Sequence, residues 1–549
     1  VKKKQNSNNA LIELENKKTI IRHLRDEAIS GYHRVKGDFE KLEKGYLAVI
    51  DNDKKMQLKK RFKSAVEHKI IFAKVRRIAS EIMKTYYANG NLADIEVVNE
   101  PKITEILQDE FDTLANQKLN MYQKIYDNIV QMLVYGTSCV KVYWSKEDNE
   151  VKISPKRINE VLFDPNAKNH FDCKYFIDRF FMSVGDLKTA YPNSGVDFNT
   201  ITDNADTTMQ TTADRQSNDL GDYKRVRVYE VYRKIKDSWY LSTLIGDTFL
   251  RVDEKLEDGH PFCFGIALPQ FVGINETNAI MSYGASYIEP MIPIQRQLIV
   301  TRNQQMDAIN KQLNPKFFVT RDSGLRDDDL LDYSALKIQV ANIQAIKEVP
   351  TPSINQSIFD TNKLDEELQE VGGLPKLNQG ITSANDPRSA TGMSLIADSG
   401  NAMLNGIITS YNESFFEPFV KRVITLIYKH KDSIKFAGIE RNMDFMLQVT
   451  INAGVGVMSR DIKLNNIGAS KQALLTMIKM FFDNGNTQKA NEYVKVLERL
   501  TKDELKTMGQ KNVDDMFSDE DIEMAIPQNP AIEDDIGQQM QPNLTQGVM

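Results

Sequence analysis

Gly372-Gly373-Leu374-Pro375, Asn385-Asp386-Pro387-Arg388-Ser389-Ala390-Thr391-Gly392 and the residues that follow to Lys431 decide the reading of this chain. A Gly-bearing loop here runs into one long helix. Asp386 suits the N-cap, and Pro387 suits the first helical position, where its missing N–H would have no partner anyway. From Arg388 to about Lys429 nothing stops a helix except a kink at Pro418. At 1.5 Å per residue that is roughly 60 Å, longer than an ordinary core helix of one domain. Ala390, Gly392, Ala397, Gly400, Ala402 and Gly406 spread small residues along its first half. Each helical Gly costs about 1 kcal/mol relative to Ala, so several need a reason. Close approach of a neighbouring backbone, another copy of the chain included, is one. The stretch reads as a part for a large assembly.

The 549 residues can bury a sizeable core and should divide into several units. A hydrophobic content of 41% and a charged content of 27% suit a folded soluble protein. No apolar run approaches the length that spans a bilayer, so no membrane role is expected, and no charged-then-apolar leader is read. Cys139, Cys173 and Cys263 are odd in number and far apart, which argues against a disulfide framework. A net charge of −6 argues against a surface that grips nucleic acid throughout. It leaves room for one that DNA merely passes, because tight binding needs clustered Lys and Arg.

Periodicity predicts helices over 10–50, 54–98 and 103–135, the last closed by Gly136 in a left-handed cap. The second is basic between Lys54 and Arg77. It reads either as a nucleic-acid patch or as a solvated face pairing with acidic neighbours, and we prefer the second. Over 138–260 the period changes to two: Cys139–Trp144, Val151–Ile153, Val226–Tyr232 and Trp239–Leu241 predict a mostly antiparallel sheet. Pro192–Gly221 is polar and is expected to be a mobile loop. Residues 293–313 predict a helix rich in Gln295, Gln297, Gln304, Gln305 and Gln312; a helix so polar must bridge or line something. Short strands at 317–320 and 337–340, a helix at 354–371, a strand at 445–452 and helices from 470 to 506 follow. The tail from Pro527 reads as disordered.

Catalytic signatures are sparse. The six histidines are scattered, with no metal-ligand spacing. Gly454-Val455-Gly456 starts like a dinucleotide fingerprint but lacks the third Gly and reads as a turn. There is no G-x-x-x-x-G-K-S/T loop. Ser334–Lys337 matches S-x-x-K, a pattern common by chance. Asp327, Asp328, Asp329 and Asp332 could hold a cation, but no calcium-loop spacing surrounds them, and an acidic surface turn is the better reading. We expect no enzyme, no cofactor and no metal.

The order of parts resembles bacteriophage portal proteins, the head–tail connectors, especially those of short-tailed phages. Tyr135-Gly136-Thr137-Ser138 entering a strand, Phe163-Asp164-Pro165-Asn166-Ala167, Gln295-Arg296 with Asn303 before Asn314-Pro315, and Ser389-Ala390-Thr391-Gly392 carry the resemblance, over roughly 15–520. It implies an α+β portal fold assembled as a ring, usually a dodecamer, at one capsid vertex of the virion, with host cytoplasm as the place of assembly. A flexible N-terminus at 1–14 would precede a wing of 15–280 that is joined by 388–455. Stem helices would be 281–313 and 353–372, the clip 314–352, the channel loop 373–387, the crown 456–525 and the disordered tail 526–549.

The same resemblance implies double-stranded DNA passing through the channel, past Lys376, Asn378, Gln379, Asn385 and Arg388 on the loop. The clip, with Arg321, Arg326 and Lys337, would dock the terminase large subunit and later the tail adaptor or connector proteins. Major capsid and scaffolding proteins are the other implied partners. Two readings from other classes stay open: an oligomeric structural or DNA-binding protein led by the basic segment 54–77, and an enzyme whose site sequence alone does not reveal.

Overall fold

Residues 137–266 alternate in hydrophobicity, and in the computed structural model they form two antiparallel sheets on which the helices of the larger unit pack. The structure describes residues 2–61, 63–87, 92–97, 101–192, 196, 198, 221–270, 282–313, 317–320, 341, 344, 346–348, 361–373, 403–431, 447–450, 456–483 and 487–507. The chain divides into two compact units, 1–83 with 93–451, and 84–92 with 452–549. Helix and sheet are both extensive, which makes the fold α+β.

The N-terminal part is helical: α1 (Lys2–Leu47), α2 (Asn52–Lys60) and α3 (Ile70–Tyr86). The single helix expected over 54–98 is instead broken, because residues 63–69 belong to no helix or strand and Asp94–Val97 is a strand, β1. The helix expected over 103–135 is likewise two, α4 (Pro101–Thr113) and α5 (Met121–Tyr135). A π turn at Leu114–Lys118 follows α4, and left-handed Asn120 (φ 46°) separates it from α5. Gly136 closes α5 with φ 79°, and its N–H donates to Met132 O at 2.8 Å. A side chain is excluded there, since a Cβ would stand 2.3 Å from Gly284 O.

One sheet has the order β3–β2–β9, from β2 (Thr137–Ser145), β3 (Glu150–Lys156) and a strand at Phe262–Ile266 that closes the series as β9. The second runs β4–β5–β6–β7–β8: Val161–Phe163, Tyr175–Ser183, Arg225–Ile235, Ser238–Ile245 and Thr248–Leu256. The register pairs Tyr175 with Arg233 and Ser183 with Arg225. Between β5 and β6 lies the polar excursion, which begins with α6 (Val184–Ala190). Its early apolar residue Phe198 is only 4% exposed and packs with Val184, Leu187, Val226, Val228 and Ile245. Aromatic rings fill the core elsewhere, with Phe176 stacked on Trp239 and Phe163 edge-on to Tyr283.

The described part of the long helix comprises α9 (403–411), a π turn at Asn412–Phe416 and α10 (Glu417–His430). Pro418 has no N–H to give the carbonyl four residues earlier, and the π turn sits where the α ladder is interrupted. Far from being exposed, α10 buries Phe419, Val420, Val423, Ile424 and Ile427. Polar anchors fix this helix to the sheet. Ser414 Oγ accepts from Ile266 N–H at 3.0 Å, and Ser410 Oγ donates to Ile266 O at 2.9 Å. Tyr411 Oη and Ser138 Oγ both donate to Asn128 Oδ1 at 2.9 Å.

Helix α7 (Ile292–Leu313) precedes β10 (Phe317–Val319), which pairs antiparallel with β11 (Ile346–Glu348) and is followed by α8 (Asn362–Val371). The strand expected at 337–340 and the first residues of the helix expected at 354–371 lie outside the described residues. β12 (Leu447–Thr450) pairs with β1, joining distant parts of the larger unit. The smaller unit contains α11 (Gly456–Asp483) and α12 (Thr487–Thr507), a hairpin held by stacked Phe481 and Tyr493 and by the Lys471–Glu504 ion pair.

Candidate functional site

Gln295, Ile299, Asn303 and Asp307 recur every fourth residue and therefore share one face of α7. Against that face lies the segment 63–69, which belongs to no helix or strand. Gln295 Oε1 accepts from Ile71 N–H at 2.8 Å, while its Nε2 donates to Gly45 O at 2.7 Å. Asn303 accepts from Val66 N–H at 2.9 Å and donates to Val66 O at 3.2 Å, as a peptide group would. Asp307 accepts from Ser64 N–H at 2.6 Å. Gln295, 1% exposed, thus serves its own chain. An unpaired buried amide would cost about 1–3 kcal/mol, so Gln295 secures the buried N–H at the start of α3, while Asn303 and Asp307 supply partners to Val66 and Ser64 outside the helices.

Other positions of α7 stay open in the single chain. Ile309 is 53% and Leu313 69% exposed, with Val300 and Met306 also exposed. Gln297, Gln304 and Gln312 are exposed among them.

The C-terminus of α8 borders the segment expected to line the channel. Gly372 O accepts from Tyr287 Oη, and Lys74 Nζ donates to Leu368 O at 2.6 Å. Burial pulls the Lys74 ammonium down to about 8, against a smaller upward pull from Asp365. Gly373 has φ +58°, a conformation that L side chains rarely adopt. Gly372, at φ −81°, needs no such freedom.

Lys376, Asn378, Gln379, Asn385 and Arg388 of the expected channel loop lie outside the described residues, as do Arg321, Arg326 and Lys337 of the expected docking tip. So do Asp327, Asp328, Asp329, Asp332 and Ser334. The basic segment 54–77 can be followed. Lys55 pairs with Glu67 at 3.3 Å, and Arg76 lies over the rings of Phe72 and Tyr126 while donating to Tyr46 Oη. With Lys74 on Leu368, three of its cations act within the fold.

Ionisable groups gather between the sheets as structural clusters. Lys141 on β2 reaches Asp178 at 2.9 Å and Glu230 at 2.6 Å, and Lys156 on β3 reaches Asp178 at 2.9 Å. Burial would raise the Glu230 carboxyl, but the charge and hydrogen bond of Lys141 and the hydrogen bond of Tyr232 hold it below the ordinary range. Asp258 joins Lys429 and His430, and its backbone oxygen accepts from Arg422. Burial pushes His170 and His260 down to about 4 and Cys173 and Cys263 up to about 12. Among the described residues no group of three or more His, Cys, Asp or Glu could hold a metal ion, and the described thiols are free. No described helix is long and apolar enough to cross a membrane.

A family model described as the phage SU10 portal protein matches residues 45–547. The chain belongs to that family. No curated protein matches it. A phage portal protein is a structural component of the virion at a capsid vertex, the head–tail connector, which agrees with the resemblance read in the sequence. For this portal, sequence reasoning missed Asp307 and the contact that Asn303 makes with Val66. Their four-residue spacing with Gln295 was visible, but the partner segment was hidden inside a stretch read as helix.

Proposed function

We propose that this portal assembles as a closed ring of twelve copies through which double-stranded DNA is packaged and ejected. The exposed apolar positions of α7 carry this reading beyond the family match. Ile309 and Leu313, exposed in the single chain on a helix about 33 Å long, would gain burial against another molecule. Identical neighbours around an axis supply that cover, and the uncharged glutamines beside them avoid like-charge repulsion.

In this assembly the regions follow the order inferred from the family: wing 15–280 with 388–455, stem 281–313 and 353–372, clip 314–352, channel loop 373–387 and crown 456–525. Neutral donors and acceptors on the loop (Asn378, Gln379 and Asn385, with Lys376 and Arg388) would touch successive phosphates weakly and release them. The clip, with Arg321, Arg326 and Lys337 near an acidic run, would dock the terminase large subunit and then the tail adaptor. Capsid and scaffolding proteins would meet the ring during assembly in the host cytoplasm. Packaging energy would come from a separate ATPase, the portal itself doing no chemistry.

Substituting Ile309→Asp together with Leu313→Asp tests the interface. Sedimentation should show rings replaced by a folded monomer, with the circular-dichroism spectrum kept. Unchanged rings would remove α7 as the interface.

A further inference from the structure

From Lys54 to Lys63, along α2 and its C-terminal flank, the chain places Lys54, Lys55, Lys59, Lys60, Arg61 and Lys63. No residue of α2 is buried, and of these six cations only Lys55 finds a carboxylate, Glu67 at 3.3 Å. Lys54, Lys59, Lys60, Arg61 and Lys63 are exposed, and their side chains make no hydrogen bond or ion pair with a described residue. The chain as a whole carries net charge −6, so this surplus runs against its composition.

A charge run is ordinarily a solvated helix face, and cations in a last turn complement the helix dipole. That accounts for Lys59 and Lys60 at most. Arg61 N–H donates to Gln57 O at 3.2 Å and Lys63 N–H to Leu58 O at 2.9 Å, so backbone groups already cap these carbonyls. Lys54 stands in the first turn, where a cation opposes the dipole. Lys55 and Lys59, four residues apart on the helix, repel one another. Arg296 of α7, exposed and without a described side-chain partner, lines the same groove as Lys54 and Lys63. The carboxylates of that groove are engaged, Asp51 by Lys44 at 3.1 Å and Asp307 by Ser64 N–H at 2.6 Å.

We propose that α2, its flank to Lys63 and Arg296 bind the phosphate backbone of double-stranded nucleic acid, at a surface separate from any channel. A duplex presents one negative charge per about 1.7 Å of its axis, and α2 is about 13 Å long, so it runs past several phosphates. Lysines predominate, and their point charges suit contacts that position a backbone without reading bases. A protein partner would need a desolvated apolar centre, and α2 offers only Met56 and Leu58 among its cations. The inference does not depend on ring formation.

Filter binding of covalently closed DNA minicircles to the full-length protein, across a salt titration, tests the proposal. A closed circle cannot thread a closed ring, so its binding reports on outer surfaces alone. The logarithm of the affinity should fall linearly with the logarithm of salt concentration. Lys59→Gln, Lys60→Gln and Lys63→Gln combined should reduce the slope by about 2–3, roughly one per lost phosphate contact. The corresponding Lys→Arg triple variant should keep the wild-type slope, and circular dichroism checks that both variants fold. No salt-dependent binding of circles by the wild type, or equal slopes in the wild type and the Gln variant, would overturn the proposal. So would displacement of the circles by polyglutamate as effective as that by a linear duplex of equal charge, which would assign the surface to an acidic protein. None of these failures touches the ring, which electron microscopy tests separately.

Discussion

A Cβ built on Gly373 would stand 2.8 Å from Met403 Sδ, so the chain leaves α8 and enters α9 at one place. The segment between them departs from and returns to a single fixed point, with Lys74, Met291 and Tyr287 packed around it. Its ends are therefore positioned by the larger unit itself.

Gly373→Val should consequently harm the fold and not merely stiffen a loop. The positive φ and the clash with Met403 together should cost about 2–4 kcal/mol. Urea unfolding followed by circular dichroism measures it. A midpoint equal to that of wild type would show that Met403 moves aside freely.

The amide face of α7 makes a second prediction. Asn303→Leu keeps the bulk but removes both bonds to the exposed Val66 N–H and O, and should destabilise by about 0.5–1.5 kcal/mol. Hydrogen exchange would locate the effect, with faster exchange at Ser64, Val66 and Ile71 and little change on the central strands. Uniform exchange across the unit would contradict a local role.

Much of the fold was legible in the sequence where local chemistry decides it. Gly136 was readable as a helix cap because glycine suits φ > 0, and β2, β6 and β7 because their apolar residues alternate. The break at 63–69 was not readable: those residues are compatible with a helix, and the side chains that bond Val66 and Ser64 lie 237 and 243 positions away in Asn303 and Asp307. β8 escaped for another reason. Arg251, Asp253, Glu254 and Lys255 make it look like a loop, yet Arg233 pairs with Asp253 across the sheet. The expected channel and docking residues rest on family order alone.

The buried charges between the sheets set a pH response. Asp178→Ala would leave Lys141 and Lys156 short of a partner, and should cost about 3–5 kcal/mol. Glu230, held below the ordinary carboxylate range, contributes stability that is present above the unfolded value of about 4.5 and is lost as pH falls through its lower folded value. Thermal melts between pH 6 and pH 3 should therefore show a decline that is smaller in Glu230→Gln. An identical pH dependence in the two proteins would exclude Glu230 as a source.

Lys74 acts in the opposite pH range and with the opposite sign. Its folded value of about 8 lies below the unfolded 10.5, so the unfolded chain holds more protons between these values. Stability should rise with pH across that window, by on the order of 1 kcal/mol once solvent screening of this partly exposed group is allowed for. Comparison with Lys74→Met, which lacks the titrating group, isolates the term. A difference between the two proteins that stays constant from pH 7.5 to pH 10 would refute it.

Electron microscopy of the purified full-length protein, with class averages viewed down the particle axis, should show closed rings with an open centre, twelvefold as the dominant symmetry. Particles of monomer size at every concentration in near-physiological salt, without a central opening, would contradict it.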